Sequence, residues 1–164
     1  MLFRSPNARL QTWTPTRRTS RDFNFEPELV GATPFWLASR FTEPGVMRLL
    51  VKHGADPLFV HHSDKIVDGR GGKAYDHRLE ATTALMAIAG QGGGGNPWGG
   101  AIADRAAREA LALEAAKIAV ELGVNVNAAN LDGRTALDSA RVLKFESLIT
   151  FLESKGAKPG TPAK

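Results

Sequence analysis

The stretch NLDGRTALDSARVLKFESLITFLESKGAKP, residues 130–159, decides the fold. Asp132 and Gly133 predict a tight turn, because glycine reaches positive φ without steric cost. Thr135 follows this turn and can cap the first of two short helices that the spacing of apolar residues predicts. Gly156 ends the second helix, since glycine tolerates the left-handed conformation. Such a helix pair cannot bury its own apolar face, so it must stack on a copy of itself.

Two copies of this unit occur earlier in the chain. Thr33 and Gly54 lie 21 positions apart, and so do Thr135 and Gly156. Gly123, which closes the middle copy, lies 33 positions before Gly156. A motif that returns at the same internal spacing, together with a period of this length, predicts a helical-repeat architecture.

The motif and the period resemble those of the ankyrin-repeat family. TPFW at residues 33–36 and TALD at residues 135–138 stand where the family has T-P-L-H, and 33 residues is the family's period. The resemblance covers roughly residues 31–57 and 81–159. It implies an all-α repeat solenoid, an ankyrin stack of about three helix pairs, which binds another protein rather than catalysing a reaction.

The histidine of the family motif is absent from all three copies. Trp36, Met86 and Asp138 occupy its position. In the family this histidine makes side-chain hydrogen bonds, so we expect packing to replace those bonds here.

Composition and charge exclude several classes of function. The chain has 164 residues, 43% of them hydrophobic, which suffices for a short solenoid. Its apolar runs are short, so no membrane span is predicted, and the absence of cysteine excludes disulfides and thiolate catalysis. The net charge of +4 resides in residues 1–22, which makes the repeats neutral. Neutral repeats offer no track for phosphates, which argues against nucleic-acid binding; the basic segment at residues 4–21 keeps it as an alternative.

The first connection between repeats is long enough to form a projecting β-hairpin, or finger. Residues 6–10 resemble residues 126–130, which follow the second helix of the middle copy. We therefore expect the chain to begin partway through a repeat, with further repeats upstream. Residues 10–14 and 21–25 alternate apolar and polar side chains, which predicts the two strands of the finger. An irregular loop is the alternative.

The second connection carries an insertion of similar length, and we predict a second finger there. DGRGG at residues 68–72 is a strong turn signal between its two flanking segments. The middle copy has a further insertion, a Gly-rich loop at residues 90–100. After it, residues 101–122 predict one long helix, the first part of which should project beyond the stack. Trp98 in the loop either packs onto the stack or contacts a partner.

These boundaries predict a single domain over residues 1–164. Its parts are, in order, the end of an upstream repeat with the first finger (1–30), a repeat (31–57), the second finger (58–80), a repeat with the Gly-rich insertion (81–128), a closing repeat (129–159) and a disordered tail (160–164). We expect a monomer unless the uncovered N-terminal face of the first repeat self-associates.

A cluster of histidine and aspartate side chains in the second finger is the strongest candidate for chemistry. Its members are His61, His62, Asp64, Asp68, Asp76 and His77. Imidazoles and carboxylates together can hold zinc or non-haem iron. However, adjacent strand residues point to opposite faces, so His61 and His62 cannot both ligate one ion without a bulge. We therefore predict no catalytic residue, cofactor or metal, and keep a metal- or small-ligand-binding finger as an alternative function.

Binding of a protein partner is the favoured function, through a concave face made by the fingers and the first helices. Aromatic and arginine side chains are the usual anchors of such surfaces. The candidate residues are Trp13, Arg17, Arg18, Phe23, Trp36, Arg40, His61, Tyr75 and His77. For Trp36, packing within the core is the alternative interpretation.

Overall fold

The computed structural model describes residues 5–12, 27–67, 76–92 and 104–161, and at 65–67 and 76–78 it describes the backbone alone. The described residues form six α-helices, a 3-10 helix and one pair of strands. The helices are α1 (Pro34–Arg40), α2 (Pro44–Lys52), α3 (Ala84–Ile88), α4 (Arg105–Glu121), α5 (Ala136–Leu143) and α6 (Glu146–Ser154). The 3-10 helix is Pro27–Leu29, and the strands are β1 (His61–Val67) and β2 (Asp76–Thr82).

The helices pack as three consecutive pairs. Within the pairs, α1 contacts α2, α3 contacts α4 and α5 contacts α6. Between the pairs, α3 contacts both α1 and α5, while α4 contacts both α2 and α6. One apolar core runs from Phe35 and Met47 in the first pair to Leu148 and Leu152 in the last. The arrangement is a helical-repeat solenoid, because each pair buries its apolar face against its neighbour.

The helix boundaries follow local signals in the sequence. Thr33 and Thr83 each cap the first helix of a pair, since their hydroxyl oxygens accept from a backbone N–H three residues later, at 3.4 Å in both cases. Gly54, Gly123 and Gly156 follow the second helices with φ of +86°, +87° and +79°. A side chain at these positions would be strained, which is why glycine ends each pair.

Three turns among the described residues share one internal hydrogen bond. A side-chain oxygen accepts from the backbone N–H two residues later. The pairs are Ser5 Oγ with Asn7 N–H (3.2 Å), Asp56 Oδ1 with Leu58 N–H (2.9 Å) and Asn125 Oδ1 with Asn127 N–H (2.9 Å). Residues 5–7 therefore form the same kind of turn as the two that follow α2 and α4.

Asn7 and Asn127 connect these turns to the next helix pair in the same way. Each side-chain amide donates to a carbonyl and accepts from an N–H two residues further on. The partners are Gly54 O (3.0 Å) and Asp56 N–H (2.7 Å) for Asn7, and Gly156 O (3.1 Å) and Lys158 N–H (2.8 Å) for Asn127. The segment at residues 5–10 thus lies against the first pair as the segment after α4 lies against the third.

The long insertions begin from one shared backbone pairing. In the third pair, Asn130 N–H donates to Arg134 O at 2.9 Å and closes a short turn. In the first, Leu10 N–H donates to Ala32 O at the same distance. In the second, His61 lies opposite Thr82 at the base of the antiparallel β1–β2 hairpin. Residues 13–26, where the first finger is predicted, and residues 68–75, the predicted turn of the second, lie outside the described residues.

Hydrogen bonds, and not packing alone, replace those of the missing motif histidine, so that expectation was wrong. Trp36 Nε1–H donates to Thr82 O at 3.1 Å. Asp138 Oδ2 accepts from Thr135 N–H at 2.8 Å. Met86 has no donor, and Gln91 takes its place by donating to Thr135 O at 2.9 Å. Each helix pair thus has a side-chain hydrogen bond near this position, although a different residue type makes it in each pair.

The long helix α4 differs from the sequence prediction at its beginning. It starts at Arg105, because the Asp104 side chain accepts from two N–H groups of the first turn and caps the helix. Its first part does not project freely. Arg105 donates to the carbonyl of Lys144, the residue that ends α5 with φ of +55°. Glu109 Oε1 accepts from Ser147 N–H at 2.6 Å. The carbonyls of Leu143 and Lys144 at the end of α5, and one N–H group in the first turn of α6, thus find partners on α4.

The C-terminal segment also differs from the predicted disorder at its described end. Lys158 O accepts from the Thr135 hydroxyl at 3.2 Å, and Gly160 N–H donates to Asp138 Oδ2 at 2.8 Å. A Cβ at Gly160 would lie 1.9 Å from Gly133 O, so only glycine allows this close approach. The segment therefore packs on the turn before α5.

Candidate functional site

The β1–β2 hairpin has a buried polar face and an exposed face. Successive strand residues point to opposite sides. On one side, His61, Ser63 and Thr82 are buried. On the other, Asp64 lies opposite Leu79 in the register, and Leu79 is 62% exposed. We call the first side the inward face and the second the outward face.

The inward face is held against the first helix pair by specific contacts. The His61 ring lies 4.4 Å from the Trp36 ring, centroid to centroid. Its Nε2–H donates to Glu28 O in the 3-10 helix at 2.8 Å. Trp36 Nε1–H reaches Thr82 O on the other strand, as described above. Both strands are therefore fixed at the base of the hairpin, and the fixing residues come from two separate elements.

Gly92 completes the enclosure of Trp36. A Cβ at Gly92 would lie 2.5 Å from Trp36 Cζ2, and Gly92 has φ of +98°. Any side chain here would collide with the indole and would strain the backbone. This part of the Gly-rich stretch is therefore structural. Residues 93–103, including Trp98, lie outside the described part of the chain.

Arg40 is also enclosed behind the hairpin. It is 2% exposed, and burial lowers its pKa to about 10, with the charge of Glu80 on β2 partly opposing this effect. A buried guanidinium beside a strand carboxylate links α1 to the hairpin. Because the guanidinium is buried there, it is not available for contact with a partner.

Three of the sequence-predicted contact residues are therefore corrected to packing residues. Trp36, Arg40 and His61 are each at most 2% exposed, so their side chains do not reach a partner in this structure. The reason is the hairpin itself, which folds over α1. His77 lies in β2 opposite Ile66, and only its backbone is described. The other candidates, Trp13, Arg17, Arg18, Phe23 and Tyr75, lie outside the described residues.

The register separates the histidines of the alternative metal site. His61 and His62 lie at the base of the hairpin, opposite Thr82 and Ala81. His77 lies opposite Ile66, which is four residues beyond His62 along β1. Four positions correspond to roughly 13 Å along a strand. Asp76, at the end of β2, is one position further still. Within the described residues, no group of three or more His, Cys, Asp or Glu side chains could hold a metal ion.

The exposed apolar side chains of the outward face were missed by the sequence analysis. Leu79 is 62% exposed, and Val60, just before β1, is 38% exposed. The exposed Val60, His62 and Asp64 alternate along the chain with the partly buried Phe59 and the buried His61 and Ser63, and this alternation was the available signal. Leu58, at the start of the same connection, is 57% exposed.

The pKa of His61 is lowered, chiefly because burial disfavours the charged ring. The bond to the Glu28 carbonyl opposes this shift, while the positive charges of His62 and Arg9 add to it. The ring is therefore neutral at neutral pH, and its Nε2 carries the proton that Glu28 O accepts.

Comparison with known families identifies one part of the chain. The family model "Ankyrin repeat" matches residues 30–62, which include α1, α2 and the start of β1. No curated protein matches the chain. Among the described residues, none of the helices has the length and hydropathy that a membrane crossing requires.

Proposed function

We propose that this chain, whose residues 30–62 match the ankyrin-repeat family model, is a non-enzymatic protein–protein interaction module that binds its partner through the outward face of the β1–β2 hairpin. Ankyrin repeats generally mediate protein–protein interaction. We also propose that the three helix pairs are three repeats of one stack, with the hairpin as a finger on its concave side. The shared turns and the shared backbone pairing at the insertions support this assignment.

The observation that carries the proposal is the contrast between the two faces of the hairpin. The polar residues His61, Ser63 and Thr82 are buried on the inward side, where His61 bonds to the Glu28 carbonyl, whereas Leu79 is 62% exposed on the outer side. A hairpin stabilised only for folding would do better to bury leucine and expose histidine and serine. The reversed pattern leaves apolar area for contact with another surface.

The anchoring of the hairpin makes this face suitable for binding. Contacts from Trp36 and from the Glu28 carbonyl fix both strands before a partner arrives. A surface that is already ordered loses less conformational entropy on association. His62 and Asp64 lie on the same face as Leu79 and can form a polar rim around the apolar contact.

The first helices contribute little exposed surface in the described structure. All five residues of α3 are buried, and so are five of the seven residues of α1. We therefore assign the contact surface to the hairpin, and not to the first helices that the sequence analysis included. The proposed contact set also keeps, as predictions, the candidates whose side chains lie outside the described structure: Trp13, Arg17, Arg18, Phe23, Tyr75 and His77.

The test compares two exposed apolar side chains. Leu79→Asp alters the outward face, and Val142→Asp, at a residue 79% exposed near the end of α5, is the matched control. The full-length chain and both variants are cross-linked in extract of the source cells, and bound proteins are quantified by mass spectrometry. We expect a partner retained by the parent and by Val142→Asp but reduced at least about tenfold by Leu79→Asp.

Thermal unfolding of each variant checks that the fold is kept. Retention of the same proteins by folded Leu79→Asp would show that the hairpin is not the contact surface.

A further inference from the structure

His61 is a titratable side chain placed at the point where the hairpin meets the rest of the molecule. Its ring is 0% exposed and lies between Trp36 and the carbonyl of Glu28. Its Cε1 lies 4.0 Å from the position that a Cβ would occupy on Gly31. The proposed contact surface does not use this side chain. Its position makes it part of the attachment of β1 to α1 and to the 3-10 helix.

The hydrogen bonding of the ring admits one proton and not two. Nε2–H donates to the Glu28 carbonyl. Nδ1 is buried, and no hydrogen-bond partner for it exists among the described residues. Protonation at Nδ1 would create a buried N–H without an acceptor on a charged ring, and both consequences cost free energy.

The charged groups around the ring do not favour a second proton. His62 on the same strand and the Arg9 guanidinium in the N-terminal segment both lower the pKa of His61 through their charge. From the 3-10 helix, Glu28 presents its backbone carbonyl to the ring. On α1 and β2, the charges of Arg40 and Glu80 interact with each other.

We propose that His61 is a pH-dependent latch, which holds the hairpin on the first helix pair when neutral and releases it when protonated. Acidification then disorders the outward face and weakens binding of the partner, and this last step alone rests on the proposed function. Because Trp36 donates to Thr82, the residue opposite His61 on β2, loss of the His61 contacts loosens both strands at their base.

The direction of the effect follows from proton linkage. In the released state the ring has the ordinary histidine pKa of about 6.5, and in the latched state burial lowers that pKa. The released state therefore binds the proton more tightly. The latch is fully stable above about pH 6.5, and its opening constant rises as pH falls, by up to about tenfold for each pH unit. The rise ends when pH reaches the lowered pKa of the latched ring.

The experiment measures opening of the hairpin in the free, full-length protein. Backbone amide hydrogen exchange is followed by NMR between about pH 5.5 and 7.5, and protection factors of β1 and β2 are compared with those of α6. His61→Gln keeps an N–H that can reach the Glu28 carbonyl but does not titrate. His62→Gln, on the exposed face of the same strand, is the matched control.

We expect the protection of the strand amides to fall about fivefold from pH 6.5 to 5.5 in the parent and in His62→Gln, with little change in α6. In His61→Gln the strand protection should not depend on pH over this interval. A parent hairpin with constant protection, or a His61→Gln variant with the parent's pH dependence, would overturn the latch.

A second measurement needs no variant. The Cε1–H resonance of His61 is titrated in the parent protein, and its midpoint should lie below the ordinary histidine pKa of about 6.5. A midpoint at or above that value would contradict the latch even if His61→Gln does not fold. Because both measurements use the free protein, they decide on the latch without any partner. Loss of partner binding in Leu79→Asp decides on the contact surface independently.

Discussion

The first and the third helix pairs stabilise the same position of the repeat by different means. Asp138, in α5, bonds with residues close by in sequence and with the C-terminal segment. Trp36, in α1, reaches Thr82 on the hairpin and packs against His61 and Gly92. The third pair is thus held by local polar bonds, whereas the first depends on an inserted hairpin.

The difference shows how a long insertion can become part of the core. The hairpin begins at the His61–Thr82 pairing, which stands where the Asn130–Arg134 pairing closes the short turn of the third pair. Once inserted there, it covers α1 and buries an indole, a guanidinium and an imidazole. The stability of the first pair therefore depends on an inserted hairpin, and that of the third pair does not.

The largest effect is expected from Trp36→Ala. The indole is fully buried, so its loss leaves a cavity and removes the bond to Thr82, at a cost of about 3–5 kcal/mol in the free energy of unfolding. Chemical denaturation measures this cost. Trp36→Phe keeps most of the ring packing and should cost less than half as much. Equal stability of Trp36→Ala and the parent protein would remove the hairpin from the core.

A smaller effect is expected from the equivalent change in the third pair, Asp138→Ala. It removes the acceptor of Thr135 N–H and Gly160 N–H, which should cost about 1–2 kcal/mol. The contrast between the two pairs fails if this loss equals that of Trp36→Ala in the same denaturation assay.

Acid should weaken the Asp138 contacts selectively. Partial burial alone would raise the pKa of Asp138, but the bonds from Thr135 and Gly160 outweigh it and lower the pKa. The stabilisation is therefore present above the ordinary aspartate pKa of about 3.9 and is lost as pH falls through the lower folded value. Denaturation near pH 7 and near pH 3 should show this loss in the parent, and a smaller pH effect in Asp138→Asn.

Asn7 and Asn127 test whether the two ends are attached alike. Each side chain makes two hydrogen bonds to the turn of the next pair, and all of them are exposed. Substitution of either by alanine should cost about 1 kcal/mol, and the two costs should agree within about 0.5 kcal/mol. A cost at Asn127 with none at Asn7 would show that residues 5–10 do not hold the first pair in solution.

The smallest effect is expected at the Arg48–Glu114 ion pair between α2 and α4. Its charged groups lie 2.7 Å apart, but the side chains are 57% and 47% exposed. A double-mutant cycle with alanine should give a coupling below about 1 kcal/mol, and salt should reduce it further. A larger coupling would mean that surface charge, and not the shared core, joins the first and second pairs.

The sequence by itself determined the repeat units, because their signals are local. A threonine caps a helix that starts within three residues, and a glycine ends one at the residue where positive φ is needed. Such signals act over a few residues, so no tertiary contact is required to interpret them.

The tertiary structure alone decided which side chains remain available to a partner. Trp36, Arg40 and His61 have the residue types of a binding surface, yet the hairpin buries them. The start of α4 lies against the turn between α5 and α6, although its composition suits a free helix. Burial depends on what folds over a residue from elsewhere in the chain, and that information is not contained in the residue's own neighbourhood.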